Sequence, residues 1–149
     1  MSETSGLKIE LSGSQAKLTG VLDENASLAP LEKLSGSVTI SFQGVERVNS
    51  CGVRDWVELL KKLSGCQITY SECSPVIVKQ LNAVPDFAGS AKIESFFAPY
   101  FCEATDSEVM VLLKPSDVLS GQPPERKSAN GETLTFDEIA AKYFSFLSR

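Results

Sequence analysis

The chain of 149 residues contains no histidine. Nucleophiles activated by an imidazole, Ser-His-Asp and Cys-His alike, are thereby excluded, and a zinc site would have to draw on cysteine and carboxylate alone. The four cysteines, Cys51, Cys66, Cys73 and Cys102, show no paired spacing, which reads as reduced thiols of a cytoplasmic protein. The opening run MSETSGLKIE lacks the basic-then-apolar order of a secretion signal. No apolar run approaches the ~20 residues of a membrane-spanning helix. A cytoplasmic location without a membrane partner is expected. Positive charge is also short: 14 Lys and Arg against 19 Asp and Glu leave a net −5, which argues against a nucleic-acid partner held by phosphate contacts. There is no glycine-rich phosphate loop, no clustered set of carboxylates and no internal repeat, so neither an enzyme nor a cofactor is expected.

What is present is an ordinary globular composition, 42% hydrophobic, in a chain long enough to bury a core without staples. Leu7, Ile9 and Leu11 alternate with polar residues and predict a half-buried strand. Gly13 and Ser14 punctuate it, and residues 15–21 return as the second arm of a hairpin. Residues 28–34 form a short helical or irregular piece. Val38, Ile40 and Phe42 share one face of the next strand. Thr39 and Ser41 on its other face are small and uncharged, which predicts a central strand covered on both sides.

Residues 51–64 carry the clearest helical period: Val53, Trp56, Val57, Leu60 and Leu63 form one stripe, and Glu58 is placed to pair with Lys62. Residues 67–71 read as a fourth strand. Ser74 and Pro75 read as a cap and a first-turn proline, opening a helix that Pro85 ends. Residues 91–97 read as a fifth strand. The expected fold class is therefore α/β, a mixed sheet with helices packed on it over residues 1–97. Residues 98–149 form a small appendage. It has one strand at 109–113, a loop-like run, and a capping box at Thr135, Phe136, Asp137 and Glu138. That box opens a helix bearing Ile139, Ala140, Tyr143, Phe144 and Leu147.

One stretch carries the chemistry: RVNSCGVRDW, from Arg47 to Trp56, where strand gives way to helix. Three readings stand side by side. Asn49 or Ser50 can cap the helix while Gly52 permits close backbone approach. Cys51 can be a thiol whose ionised form the helix dipole favours. The third reading is the site of a phosphorylation switch.

That third reading comes from a resemblance. The order of strand, short loop, Asn-Ser-Cys-Gly-Val and amphipathic helix resembles the STAS domain of bacterial anti-sigma factor antagonists and sulfate transporters. LKIELSGSQAKLTGVLDENA is similar to that family's opening strands with a G-x-L-D turn at Gly20, Val21, Leu22 and Asp23. CSPVIVKQLNAVPDF is similar to its second helix and AKIESF to its last strand, so the likeness covers residues 7–97. The resemblance implies a non-enzymatic regulatory module that binds a protein partner, an anti-sigma kinase or a signalling complex. It also implies a phosphorylated serine just before the glycine. Here Cys51 occupies that position, with Ser50 one residue earlier and Asn49 where the family commonly has aspartate. The switch is then either lost, the favoured alternative, or moved to Ser50. The implied contact surface is Asn49, Ser50, Cys51 and Gly52 with Arg54 and Asp55 on the helix. A small-molecule or nucleotide sensor is the rival function, because a helix N-terminus can receive phosphate.

In the appendage, Cys102 to Thr105 and Lys127 to Asn130 each have the spacing of a zinc knuckle. With the strand between them, they resemble the zinc-ribbon tail of some STAS-like proteins, three of the four ligand positions being Thr105, Lys127 and Asn130. A lone thiolate cannot hold zinc, so no metal is expected. The alternative is a plain loop-strand-loop-helix extension.

Overall fold

The computed structural model describes residues 6–148; the polar opening, residues 1–5, lies outside them. The first sheet begins with the hairpin that the alternation predicts, β1 (Leu7–Ser12) antiparallel to β2 (Gln15–Leu22). A 3-10 turn over Ala29–Lys33 buries Leu31 and leads into β3 (Ser37–Val48). β3 lies between β2 and β4 (Gln67–Ser71) and runs parallel to both. β5, only Lys92–Ile93, closes the order β1-β2-β3-β4-β5. α1 (Ser50–Lys62) joins β3 to β4; α2 (Pro75–Ala83) and the single turn α3 (Pro85–Ala88) join β4 to β5. The protein is a mixed α/β structure.

Each parallel step moves one strand along in the same direction. Right-handed crossovers then place every connection on one face of the sheet. The expectation that β3 is covered on both sides is corrected for this reason. Val38, Ile40, Phe42 and Tyr70 are buried under the helices. Thr39, Ser41 and Thr69 face the other way with Lys17 and Gln15, on a polar face that no helix among the described residues covers.

One turn and one helix also differ from expectation. Gly20 and Leu22 lie inside β2, so the G-x-L-D segment is strand up to Leu22, and Asp23 begins the turn by accepting the Asn25 N–H. Gly20 stands at a register shift with φ of 107°, and a Cβ there would meet the Gly6 carbonyl oxygen at 1.7 Å. On α1 the buried stripe is Gly52, Trp56, Leu59 and Leu63; Val53, Val57 and Leu60 are only half-buried. Trp56 stays in the ring cluster of Phe42, Tyr70 and Phe87, and the helix is rotated about it so that Gly52 meets the Leu22 backbone. Glu58 pairs with Lys61 at 3.0 Å, and Lys62 reaches Glu32 at 3.3 Å, in place of the expected Glu58–Lys62 pair.

The C-terminal part departs most. Residues 91–97 are two strands, β5 and the start of β6 (Phe96–Cys102), so β6 runs through the expected boundary after Phe97. β6 belongs to a second sheet with β7 (Ser107–Leu113), β8 (Arg126–Lys127) and β9 (Thr133–Phe136), in the order β7-β6-β9-β8 and antiparallel throughout. The expected capping box does not form. Thr135 and Phe136 pair with Phe101 and Tyr100 in the sheet, and α4 is the single turn Ala140–Tyr143 with Ile139 exposed before it. Ladder pairing to β6 satisfies the backbone that a cap would otherwise have served. Phe146, rather than Leu147, is the buried end of this segment, and it meets Phe96 edge-on at 5.2 Å. Backbone bonds Cys73 N–H to Ser95 O and Phe97 N–H to Cys73 O tie the second sheet to the first, and one hydrophobic cluster runs through both.

Candidate functional site

The loop before α1 leaves the carboxyl end of β3, beside the carboxyl end of β2. In open parallel sheets this is the edge where side chains gather at strand ends, free of the ladder. Leu22 O accepts the Asn49 N–H at 3.1 Å and so fixes the loop's start. Asn49 is in extended backbone, and its Oδ1 accepts the Gly52 N–H at 2.9 Å. Asn49, and not Ser50, is therefore the cap. Its Nδ2 also donates to Glu24 Oε1 at 3.1 Å, a partner that sequence reasoning missed because Glu24 lies across the site on the turn after β2.

Gly52 is buried, and a Cβ on it would stand 2.1 Å from the Leu22 carbonyl oxygen. The helix N-terminus thus sits directly against the end of β2, and no other residue type fits without moving one of them. This close approach pushes the residues before Gly52 outward. Asn49 and Ser50 are exposed and Cys51 is half-exposed. Arg47 and Arg54 are exposed as well, Arg54 with 71% of its side chain accessible. Asp55 is its 3.8 Å neighbour, an exposed pair that contributes little to stability. The structure therefore brings Arg47, Asn49, Ser50 and Cys51 together at one corner, with Arg54 and Asp55 on the first turn of α1. Gly52 belongs to the same corner as a spacer beneath it.

Beside this corner lies a cleft of about 460 Å³ between the strand ends and α2. Arg47 and Asn49 form one wall, Val76, Lys79 and Gln80 the other, with Asp23 at the rim. Among the described residues neither Arg47 nor Lys79 pairs with a carboxylate. Lys79 and Gln80 carry no motif; only the crossover of α2 behind the β3 end brings them here. A second cleft, about 620 Å³, lies on the uncovered polar face of the first sheet, with Lys17, Ser41 and Glu72 on its floor and Leu112 and Lys114 at its rim.

No family model matches the chain, and no curated protein matches it.

The two knuckle-like segments do meet. Cys102 ends β6 and Thr105 lies in the turn to β7; Lys127 ends β8 and Asn130 lies in the turn to β9. Pairing of Cys102 with Leu134 sets the two turns side by side. What connects them is not the four spaced positions. The buried Cys102 thiol faces Glu132 Oε1 at 3.7 Å, and the Ser128 hydroxyl donates to the same oxygen at 3.4 Å. Ser128 and Glu132 were not legible as partners, because their roles follow from strand register. Among the described residues no group of three or more His, Cys, Asp or Glu side chains is placed to hold a metal, and no helix is long and apolar enough to cross a membrane.

Proposed function

We propose that the chain is a non-enzymatic regulatory binding module of the STAS, anti-sigma-antagonist kind. It docks a protein partner through Arg47, Asn49, Ser50 and Cys51 and the first turn of α1, where Arg54 and Asp55 stand. The observation that carries this reading is the exposed corner held rigid from below. The backbone contact at Gly52 and the Asn49 cap fix its shape, while its outward side chains make few bonds of their own. A rigid, solvent-facing corner loses little entropy on docking. The resemblance over residues 7–97 supplies the class of partner, an anti-sigma kinase or signalling complex in a bacterium, and the scattered, unpaired cysteines suit the cytoplasm as the place. The module works without its phosphorylation switch, because a thiol stands at the acceptor position.

Two measurements on the full chain test this. As bait in the native host, the wild type retains a partner that Arg54→Glu loses, with both proteins equally folded. Equal capture by the two would remove the docking surface from consideration. Incubation with the host's kinases leaves the intact mass unchanged, whereas Cys51→Ser gains one phosphate; a phosphate on Ser50 of the wild type would show that the switch had moved.

The cleft beside the corner favours a second reading, a sensor for a phosphate-bearing small molecule. Its Arg47 and Lys79, which pair with no carboxylate among the described residues, support it. A specific nucleotide would raise the melting temperature of the wild type by mass action and lose that effect in Lys79→Ala.

A further inference from the structure

The two sheets have four edges, and three are blunted. β1 carries Lys8 and Glu10 within the strand, β5 is two residues long, and β8 is the dipeptide Arg126–Lys127. Short length and in-strand charge are the usual devices that keep a free edge from pairing with another chain. The fourth edge, β7, is blunted least: its one charge, Glu108, stands at the second position. It is seven residues long, and its run from Val109 to Leu113 is uncharged throughout. Among the described residues no backbone hydrogen bond reaches it from any strand but β6. Met110 and Leu112, which share a face of the strand, are 43% and 46% exposed, and Leu112 also lines the cleft over the first sheet.

The charges of this strand are arranged in a particular order. Asp106 and Glu108 stand at its start, and Lys114, still in extended backbone, just past its end. A second copy running parallel would set like charge against like. Running antiparallel about a two-fold axis through Val111, it sets Glu108 opposite Lys114 and Met110 opposite Leu112, all on one face. Val109 and Leu113 lie on the opposite side, where Leu113 is already buried within its own chain. An isologous contact needs such self-complementarity, and opposite charges and apolar pairs across strands each stabilise the ladder.

We infer that β7 is a homodimer edge, pairing antiparallel with β7 of a second copy of this chain in a register centred on Val111, so that the second sheet continues across the two-fold axis. This is independent of the docking corner at Asn49, and it survives or fails apart from that reading.

Sedimentation equilibrium of the full chain over a concentration series tests it, with circular dichroism to confirm folding. The wild type sediments at twice the chain mass. Met110→Lys, an exposed substitution that adds charge to the edge, sediments at the chain mass. Glu108→Lys and Lys114→Glu each dissociate the dimer when made alone, and the two together restore it, because each reversed residue meets the other across the axis. Amide hydrogens of residues 109–113 exchange slowly in the wild type and faster in Met110→Lys. A wild type at the chain mass at every concentration overturns the inference, even where a foreign strand adds to β7. A dimer indifferent to Met110→Lys overturns it too, and failure of the double reversal to restore the dimer overturns the register.

Discussion

The corner before α1 rests on two residues that act in different ways. Asn49 accepts one otherwise orphaned N–H, so Asn49→Ala is expected to destabilise the protein by about 1 kcal/mol, the usual worth of such a cap. Gly52 supplies space: a methyl group would meet the Leu22 carbonyl oxygen at 2.1 Å, and either β2 or the helix must shift. Gly52→Ala is expected to cost about 1–3 kcal/mol, the range for overpacking a filled interior. Urea denaturation of both variants checks this; a Gly52→Ala protein as stable as the wild type would contradict the close packing. That a cap and a close-packed glycine stand here was legible, since a short polar side chain precedes an apolar helical stripe. That Asn49 and not Ser50 does the capping was not, because the choice turns on the backbone bond from Asn49 to Leu22, made across the sheet. Glu24 was invisible for the same reason.

At the scale of elements, long periodic segments were readable and short ones were not. β4 was expected at the residues it occupies, and α1 within about one residue of its start, because five or more positions repeat a pattern there. β8 has two residues and no period to read. The capping box at Thr135 lost to strand pairing, which no local signal could announce. α2 shows a subtler departure. Ser74 precedes Pro75 as a cap should, yet its hydroxyl makes no cap bond and donates to the Val45 carbonyl oxygen at 2.8 Å. It is buried, and it ties the start of α2 to β3. Ser74→Ala is therefore expected to cost about 1–3 kcal/mol, the penalty of a buried carbonyl deprived of its donor. Ser74→Asp separates tether from cap. An N-cap accepts aspartate as readily as serine, but a carboxylate facing the Val45 oxygen has no proton to give and repels it. Thermal denaturation should rank Ser74→Asp below Ser74→Ala; the reverse order would restore the capping role.

Across the whole molecule, the one-sided covering of the first sheet follows from strand order, which single-strand patterns do not reveal; small uncharged residues on β3 fit a lightly covered face and a sandwiched one equally well. The same helix layer presses several weak acids into one interior. Tyr70 receives the Trp56 N–H at 2.9 Å and donates to the Phe87 carbonyl at 2.7 Å, and Tyr143 donates to the Phe97 carbonyl. Burial pushes the phenols of Tyr70 and Tyr143 and the thiol of Cys73 well above their ordinary ranges. The sign of the consequence is fixed. Below about pH 8 these groups are protonated whether the chain is folded or not, and they add no pH dependence. As pH rises through the ordinary cysteine and tyrosine range, about 8.5 to 10, the unfolded chain releases protons that the folded chain retains. The unfolded state then binds fewer protons, and stability falls by about 1.4 kcal/mol per pH unit for each group until its folded value is passed. With no histidine in the chain, no imidazole titrates between about pH 5 and 8 to obscure the onset. Urea denaturation at stepped pH should show a decline that begins near pH 9 and steepens as the phenols ionise. Tyr70→Phe lowers the stability at neutral pH, because the Trp56 N–H loses its acceptor, yet its alkaline decline is shallower by one group. Parallel declines for the two proteins would mean that Tyr70 ionises as easily folded as unfolded, and that the ring cluster beneath α1 is open to water.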